Sequence, residues 1–144
     1  MLSSPRHAGF TLIEVMVVVV ILSILAALVV PQIMGRPDEA RVVKAQNDLR
    51  AIEAALKLYK LDNYAYPSTD QGLEALVNKP SLPPEPRNWK SGGYLERLPQ
   101  DPWGKPYFYL NPGTHGEIDL WCQGADGLPD GNGVNADLGN WNLQ

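Results

Sequence analysis

The hydrophobic positions divide the chain into two parts that predict different kinds of helix. Residues 15–30 form an apolar run that only Ser23 interrupts. At ~1.5 Å per residue, a helix over residues 10–30 would reach about 30 Å, the thickness of the hydrocarbon core of a bilayer. The pattern therefore predicts a transmembrane helix over residues 10–30. Arg6, which precedes it, favours a cytoplasmic N-terminus, with the rest of the chain outside the cytoplasm.

A second helix with a different pattern is predicted directly after the first. From Asp38 onwards, apolar side chains recur every three or four residues, which is typical of an amphipathic helix with one buried stripe. Pro31, Gly35 and Pro37 lie where the two patterns meet. They predict a kink or soft spot rather than an end, because the helical pattern resumes at once. The predicted stripe consists of Val42, Ala45, Leu49, Ile52, Leu56 and Tyr59.

Beyond the long helix, the sequence predicts turns, one short helix and a loop. Ser68 and Gln71 have the spacing of a capping box, which is typical of the start of a helix. A short helix is therefore expected over residues 73–77. A cluster of prolines within residues 79–93 predicts a long ordered loop.

Two β-rich segments near the C-terminus predict an antiparallel hairpin. Residues 107–110 are mostly aromatic, and residues 118–122 alternate between apolar and polar as in a half-buried strand. Residues 111–116, between them, are rich in the Asn, Pro and Gly that favour turns. We expect the hairpin to pack on the apolar stripe of the amphipathic helix, and a third short strand to involve residues 94–98.

One carboxylate, that of Glu14, lies within the predicted transmembrane helix. An ionisable side chain at membrane depth is costly and by default marks a functional site. A secretory signal peptide would be cut after its apolar core, whereas the small-residue pair Ala8-Gly9 precedes the core here. A plain signal anchor accounts for the length of the segment but not for Glu14. The carboxylate is also close enough to the helix end to extend towards lipid headgroups instead.

The segment Gly9-Phe10-Thr11-Leu12-Ile13-Glu14, followed by an apolar helix, resembles the N-terminus of type IV pilins and of the pseudopilins of type II secretion systems. The resemblance implies that a prepilin peptidase cuts between Gly9 and Phe10 and methylates the new amine of Phe10. It also implies that Glu14 pairs with the Phe10 amine of a neighbouring subunit during assembly, which would supply the partner that a buried carboxylate needs. Pro31 matches a proline in a segment of the first helix that can loosen in the assembled filament.

A glycine-rich acidic loop near the C-terminus is a candidate metal site. Calcium takes six to eight oxygens from carboxylates, amides and backbone carbonyls, and glycine permits tight turns around an ion. The match to the EF-hand template is only partial, because Leu128 occupies a ligand position and the last position is Asp137 rather than Glu. The alternative is a surface loop whose Asp and Asn side chains only form turns. The candidate side-chain ligands are Asp126, Asp130, Asn132, Asn135 and Asp137.

The C-terminal motifs extend the resemblance over nearly the whole chain, because they follow the pattern of the major pseudopilins of type II secretion. The resemblance implies a structural calcium ion in this loop, with the backbone carbonyl of Gln123 as a further ligand and Asp126 and Asp137 as the strongest side chains. This chain departs from the family at Cys122 and Gln123, where serine and leucine are common, and at Gly133 and Asn135, where acids are common. The motifs are Asp101-Pro102-Trp103-Gly104, Pro106-Tyr107, Gly124-Ala125-Asp126-Gly127 and Asp137-Leu138-Gly139-Asn140-Trp141.

Composition and motif content argue against several other classes of function. The net charge is -4 and the Lys and Arg residues form no dense patch, which argues against nucleic-acid binding. The single Cys122 cannot form an internal disulfide, and a free cysteine is most often buried. A lone cysteine also argues against a surface type IV pilin, since those proteins usually have a disulfide-bounded C-terminal region. The sequence has no catalytic triad, zinc spacing or phosphate-binding loop, so we expect no enzymatic activity.

These observations predict an α+β, type IV pilin-like fold. A long N-terminal helix, transmembrane in its first half and amphipathic in its second, would pack on a small C-terminal antiparallel sheet that carries a metal-binding loop. The predicted divisions are a cleaved leader (1–9), a transmembrane and assembly segment (10–30), a periplasmic helix segment (31–62) and a periplasmic globular region (63–144).

The resemblance implies a structural subunit that polymerises into the periplasmic fibre of a type II secretion system, the pseudopilus, which helps to export folded proteins across the outer membrane. The implied location is the inner membrane, crossed once. The implied partners are other copies of the chain, minor pseudopilins, an inner-membrane assembly platform and the prepilin peptidase. Two alternatives remain open: a type IV pilin or minor pilin-like subunit, and a membrane-anchored periplasmic enzyme or binding protein.

Overall fold

The computed structural model describes residues 9–34 and 36–143. The chain forms two compact units, Met1–Pro37 and Asp38–Gln144. The elements in chain order are helices α1 (Leu12–Met34) and α2 (Arg36–Asn63), the 3₁₀ helix η1 (Leu73–Leu76), strands β1 (Phe108–Leu110) and β2 (Asp119–Cys122), the 3₁₀ helix η2 (Gly133–Asn135) and strand β3 (Leu138–Gly139).

Helix α1 continues past Pro31 to Met34, and α2 begins at Arg36. The predicted soft spot therefore does not end the helix at Pro31. Gly35 lies outside the described residues, and the side chains of residues 30–36 are not described either.

The apolar stripe of α2 forms one wall of the core. Ala45, Leu49, Ile52, Leu56 and Tyr59 are buried, as the helical spacing predicted. Val42, the first residue of the predicted stripe, is only partly buried. The opposite wall consists of Tyr107, Ile118, Leu120 and Cys122, from the sheet and its approaches.

The sheet has three antiparallel strands in the order β1-β2-β3. Phe108 pairs with Trp121 and Leu110 with Asp119, which confirms the predicted hairpin. Trp121 also pairs with Gly139 on the other side, so β2 is the central strand. Helix α2 and this small sheet together confirm the α+β fold class.

The third strand lies at β3 and not at residues 94–98, so that prediction was wrong. The backbone N–H groups of Tyr94 and Leu95 both donate to the Leu76 carbonyl, at 2.7 and 3.0 Å. Gly93 approaches the same turn so closely that a Cβ there would lie 2.9 Å from the carbonyl oxygens of Leu76 and Val77. The first N–H groups of this segment therefore bond to the carbonyl at the end of η1, and the segment forms no strand.

The predicted capping box forms before η1. The Ser68 N–H donates to Gln71 Oε1 at 3.0 Å, and the Gln71 N–H donates to Ser68 Oγ at 3.2 Å. The short helix that follows is a 3₁₀ helix, Leu73–Leu76, with Val77 as its C-cap. The box fixes the chain after the turn that follows α2.

The proline-rich loop after η1 is held by side chains that lie outside it. The Gln71 amide Nε2 donates to the carbonyls of Leu82 and Pro84, both at 2.7 Å. The Asn88 N–H donates to Asn63 Oδ1 at 2.8 Å. Both Gln71 and Asn63 are buried, so the loop is ordered by the core, as the sequence analysis expected.

Candidate assembly helix and metal-binding loop

Helix α1 is apolar and exposed along its described side chains. Over Leu12–Val29 the mean hydropathy is 3.1, and none of that window is buried. By length and composition alone, this helix could cross a membrane. Ile21 is 50% exposed and Leu28 is 65% exposed. An apolar surface of this extent marks contact with lipid or with other chains.

Glu14 is the only carboxylate in the sequence of α1 and lies in its first turn. The Glu14 N–H donates to the Thr11 hydroxyl at 3.3 Å and to the Thr11 carbonyl at 3.1 Å, so Thr11 caps the helix. The helix dipole favours a negative side chain at this end. This cap was not predicted from the sequence, although Thr followed three residues later by Glu, before an apolar run, is the signal of a capping box.

The predicted cleavage position is open in the structure. Gly9 and Phe10 precede α1 without regular secondary structure, and both are exposed. Phe10 is 84% exposed. Residues 1–8 of the predicted leader lie outside the described residues. The roles predicted for Gly9, Phe10, Glu14 and Pro31 stay predictions.

The acidic loop is closed by hydrogen bonds within its own backbone. The Ala125 N–H donates to the Val134 carbonyl at 3.0 Å. The Gly127 N–H donates to the Gln123 carbonyl at 3.2 Å. The first bond joins the start of the loop to η2. The second engages the Gln123 carbonyl, which was predicted as a calcium ligand, in a turn at the start of the loop.

Two glycines allow the loop to fold tightly around the Asn135 carbonyl. Gly124 and Gly131 have positive φ values of 60° and 100°, in the region that favours glycine. A Cβ at Gly124 would lie 2.7 Å from the Asn135 carbonyl oxygen, and a Cβ at Gly131 would lie 2.4 Å from it. This oxygen therefore lies at the point where the two arms of the loop approach each other.

Asp137 has a feature that no other described side chain shares. Its Oδ1 is buried without a hydrogen-bond partner, while its Oδ2 accepts from the Asp130 N–H at 3.2 Å. The Asn142 side chain donates to the Asp137 carbonyl at 3.0 Å, which fixes the backbone there. A buried carboxylate oxygen needs a proton, a water molecule or a cation. Asp137 Oδ1 is therefore an oxygen in the loop that could coordinate a cation.

The other predicted ligands are less enclosed. Asp126 is exposed, and its Oδ1 accepts from the Leu128 N–H at 3.1 Å. Asn132 is exposed and extended at the start of η2. Within residues 9–34 and 36–143, no three His, Cys, Asp or Glu side chains converge as metal ligands. A calcium site here would thus need amide and backbone oxygens as well as carboxylates.

Asp119 organises the hairpin turn from inside the sheet. It is only 2% exposed, and its carboxylate accepts from the Thr114 N–H at 2.8 Å and from the Thr114 hydroxyl at 2.7 Å. It also accepts from the His115 N–H at 3.1 Å and contacts His115 Nδ1 at 2.9 Å. Burial alone would raise the pKa of Asp119, but these hydrogen bonds outweigh it and lower the pKa to about 2.

The burial of Asp119 corrects the expected pattern of β2. From the sequence, residues 118–122 were expected to form a half-buried strand that alternates between buried and exposed positions. Asp119, Leu120 and Cys122 are all buried, and Trp121 is partly buried. The alternation fails because the Asp119 side chain is turned back onto the residues that precede the strand, where it accepts their hydrogen bonds.

Cys122 is fully buried, as predicted. Burial raises the pKa of its thiol to about 11. Tyr107 lies near it and donates to Asp48 Oδ2 at 2.9 Å; burial, followed by this hydrogen bond, raises the pKa of Tyr107 as well. Both groups stay protonated at neutral pH, and the Tyr107 hydrogen bond holds the segment before β1 against α2.

The two units define a class of protein. The first is an exposed apolar helix with a capped, acidic first turn. The second is an amphipathic helix packed on a small antiparallel sheet. Together they are the features of a pilin-like subunit, and comparison with known proteins narrows the class.

Two family models match the chain: "Type II secretion system (T2SS), protein G" over residues 32–141 and "Prokaryotic N-terminal methylation motif" over residues 4–30. Type II secretion system core protein G of Pseudomonas aeruginosa is 64% identical, over 94% of this chain and 96% of its own length. The protein of the same name from Vibrio cholerae is 59% identical, over 96% of this chain and 94% of its own length.

A solved structure also matches. The crystal structure of the major pseudopilin from the type 2 secretion system of enterohaemorrhagic Escherichia coli is 51% identical, with a TM-score of 0.67. The match covers 78% of this chain and 96% of that chain. The chain therefore belongs to the protein G family of type II secretion systems and is a structural subunit of the pseudopilus. The resemblance stated from the sequence is confirmed.

Proposed function

We propose that a prepilin peptidase cuts this chain between Gly9 and Phe10 and methylates Phe10. The cut chain is then held in the inner membrane by α1, with its globular unit in the periplasm. It polymerises there with minor pseudopilins on an inner-membrane assembly platform. The fibre aids export of folded proteins across the outer membrane, and the subunit has no catalytic role. The match of residues 4–30 to the N-terminal methylation motif supports the processing step.

The observation that carries this proposal is the exposed apolar surface of α1 with a single carboxylate in its first turn. In a membrane or a helical bundle, a charged side chain at that position needs a partner of opposite charge. Cleavage after Gly9 would create an amine four residues before Glu14 in every copy. Pairing of Glu14 with the amine of a neighbouring copy would align the two helices at a fixed axial offset.

A variant of Glu14 tests this assembly role. Glu14→Ala should leave membrane insertion, cleavage and methylation unchanged but lower the yield of fibres strongly. Ser23→Ala is the matched control, because Ser23 is the polar residue within the apolar run of residues 15–30 and its hydroxyl donates to the Val19 carbonyl at 2.7 Å within the same helix. Intact mass of the protein from its host's membranes reports processing, and electron microscopy of sheared fibres reports assembly.

The results separate processing from assembly. Normal fibre yield from Glu14→Ala would refute the pairing role while leaving the processing proposal intact. A wild-type mass that corresponds to an uncut chain, in a host with an active prepilin peptidase, would refute the processing proposal.

We also propose that the acidic loop binds a structural calcium ion. The unpartnered Oδ1 of Asp137 supports this proposal, together with the 3.2 Å hydrogen bond from the Asp130 N–H to Asp137 Oδ2 and the position of the Asn135 carbonyl between Gly124 and Gly131. The ion would neutralise the carboxylates and hold the strand β3 end of the loop against its start. The proposed ligands are the Gln123 carbonyl, Asp126, Asp130, Asn132, Asn135 and Asp137.

Thermal unfolding of the fragment Asp38–Gln144 tests the calcium proposal. The fragment retains the whole described core, which begins at Ala45. Ligand at a hundredfold excess over its Kd stabilises a folded protein by about 2.7 kcal/mol, which for a unit of this size raises Tm by roughly 10 °C or more. Asp126→Ala and Asp137→Asn should abolish this gain, whereas Asp70→Asn, at an exposed acid in another turn, should keep it. Identical melting curves in calcium and in chelator would refute the site.

A further inference from the structure

Lys105 reaches the acidic loop from a separate turn. The buried Asp101 holds that turn: its Oδ1 accepts from the Trp103 N–H at 3.0 Å and from the Lys105 N–H at 2.8 Å. The Asp101 N–H also donates to the Lys105 carbonyl at 2.8 Å. The base of the Lys105 side chain is therefore fixed by main-chain bonds.

The end of the Lys105 side chain lies directly against Gly127. A Cβ at Gly127 would lie 1.4 Å from Lys105 Nζ and 2.8 Å from its Cε, so the ammonium occupies the space that a side chain at this position would need. Gly127 has a positive φ of 65°, which also favours glycine. The ammonium is thereby placed beside the residue that follows Asp126.

The loop has no positive charge of its own. Residues 123–139 contain the carboxylates of Asp126, Asp130 and Asp137 and no Lys or Arg. The positive charge next to the loop therefore comes from Lys105, which belongs to the segment between Asp101 and β1. It can partly neutralise the carboxylates without taking up their coordination positions.

We propose that Lys105 is a built-in competitor of the calcium ion and sets the calcium affinity of the loop below the value that its oxygens alone would give. The inference rests on the calcium site proposed above. A unit positive charge beside the loop repels a divalent cation, and salt screens this repulsion over a Debye length of about 10 Å at 0.1 M. Removal of the Lys105 charge should therefore tighten calcium binding roughly three- to tenfold at low salt.

Calorimetric titration of the full chain in detergent micelles with calcium chloride tests the inference. The proteins are wild type, Lys105→Met, Lys105→Arg and Lys79→Met. Lys105→Met should bind calcium more tightly, Lys105→Arg should match wild type because the charge remains, and Lys79→Met should match wild type because it removes an exposed charge elsewhere. The gain in Lys105→Met should shrink between 0.02 and 0.5 M salt, roughly in line with the fall of the Debye length.

Each outcome separates the two proposals. If wild type and Lys105→Met bind calcium with equal affinity at low salt, the competitor role is refuted and the calcium site stands. If Lys79→Met tightens binding as much as Lys105→Met, net charge rather than position is responsible, which also refutes the role. If none of the four proteins binds calcium, the calcium site itself is refuted. Far-UV circular dichroism in chelator checks that every variant is folded.

Discussion

Replacement of Asp119 by asparagine should destabilise the globular unit and remove part of its acid sensitivity. The carboxylate lies inside the sheet and accepts from both the backbone and the side chains of Thr114 and His115. An asparagine would turn an NH₂ group towards some of these donors. The hydrogen bonds of the turn would then be lost without replacement by water, because the site is buried.

The lowered pKa of Asp119 gives the size of its contribution to the free energy of folding. Asp119 has an ordinary pKa of 3.8, and its folded pKa is lowered to about 2. At 1.36 kcal/mol per unit, the ionised form contributes about 2 kcal/mol to folding. Because the folded pKa is the lower one, this contribution is fully present above the unfolded pKa of about 4. It is lost as the pH falls towards 2.

Urea unfolding of the fragment Asp38–Gln144 at pH 7 and at pH 2 measures this effect. Asp119→Asn should lower the free energy of unfolding at pH 7 by at least about 2 kcal/mol, and the difference from wild type should largely close by pH 2. Asp70→Asn, at an exposed carboxylate, should stay within about 0.5 kcal/mol of wild type. A wild-type to Asp119→Asn difference of the same size at both pH values would refute the electrostatic explanation.

Two further predictions concern the core. Leu120→Ala removes most of a fully buried core side chain. The free energy of unfolding measured in urea should therefore fall by about 2–5 kcal/mol. A loss below about 1 kcal/mol would mean that the neighbouring side chains fill the cavity. Cys122 is buried and its pKa is raised to about 11, so at pH 8 a thiol reagent should modify it at least about a hundredfold more slowly in the folded protein than in urea. Equal rates would show that the native core opens readily.

The elements with strong local patterns could be predicted from the sequence. The stripe of α2 has a helical period over several turns, and the hairpin has two β-rich runs around a turn, so nearby residues determine both. The capping box of Ser68 and Gln71 was predictable for the same reason. Thr11 carries an equally local signal, and its cap could have been predicted with the same rule.

The third strand could not be predicted in this way. Strand β3 has only the residues Leu138 and Gly139, too few for a period of two to be visible. Its position depends on pairing with β2, and therefore on the closure of the acidic loop between them. The segment 94–98 has suitable residues for a strand, but the Leu76 carbonyl takes the N–H groups of its first two residues.

The acidic loop, as a candidate metal site, was only partly predictable. Residue types identified the oxygen-bearing side chains, and the resemblance ranked Asp126 above Asp137. The sequence carried no sign that Asp137 Oδ1 would be the buried, unpartnered oxygen. That property depends on how the glycines fold the loop, and so does the placement of Lys105 against Gly127.

The anchoring of the proline-rich loop has a consequence for how relatives of this chain can diverge. The side chains of Gln71 and Asn63 hydrogen-bond to backbone atoms of Leu82, Pro84 and Asn88 in the loop. Because these bonds use only backbone atoms of the loop, they do not depend on the identity of its exposed side chains. Exposed residues there, such as Ser81, Glu85 and Arg87, can be exchanged without altering the route of the main chain. The surface chemistry of this loop can thus change from one species to another while the main chain beneath it keeps the same course.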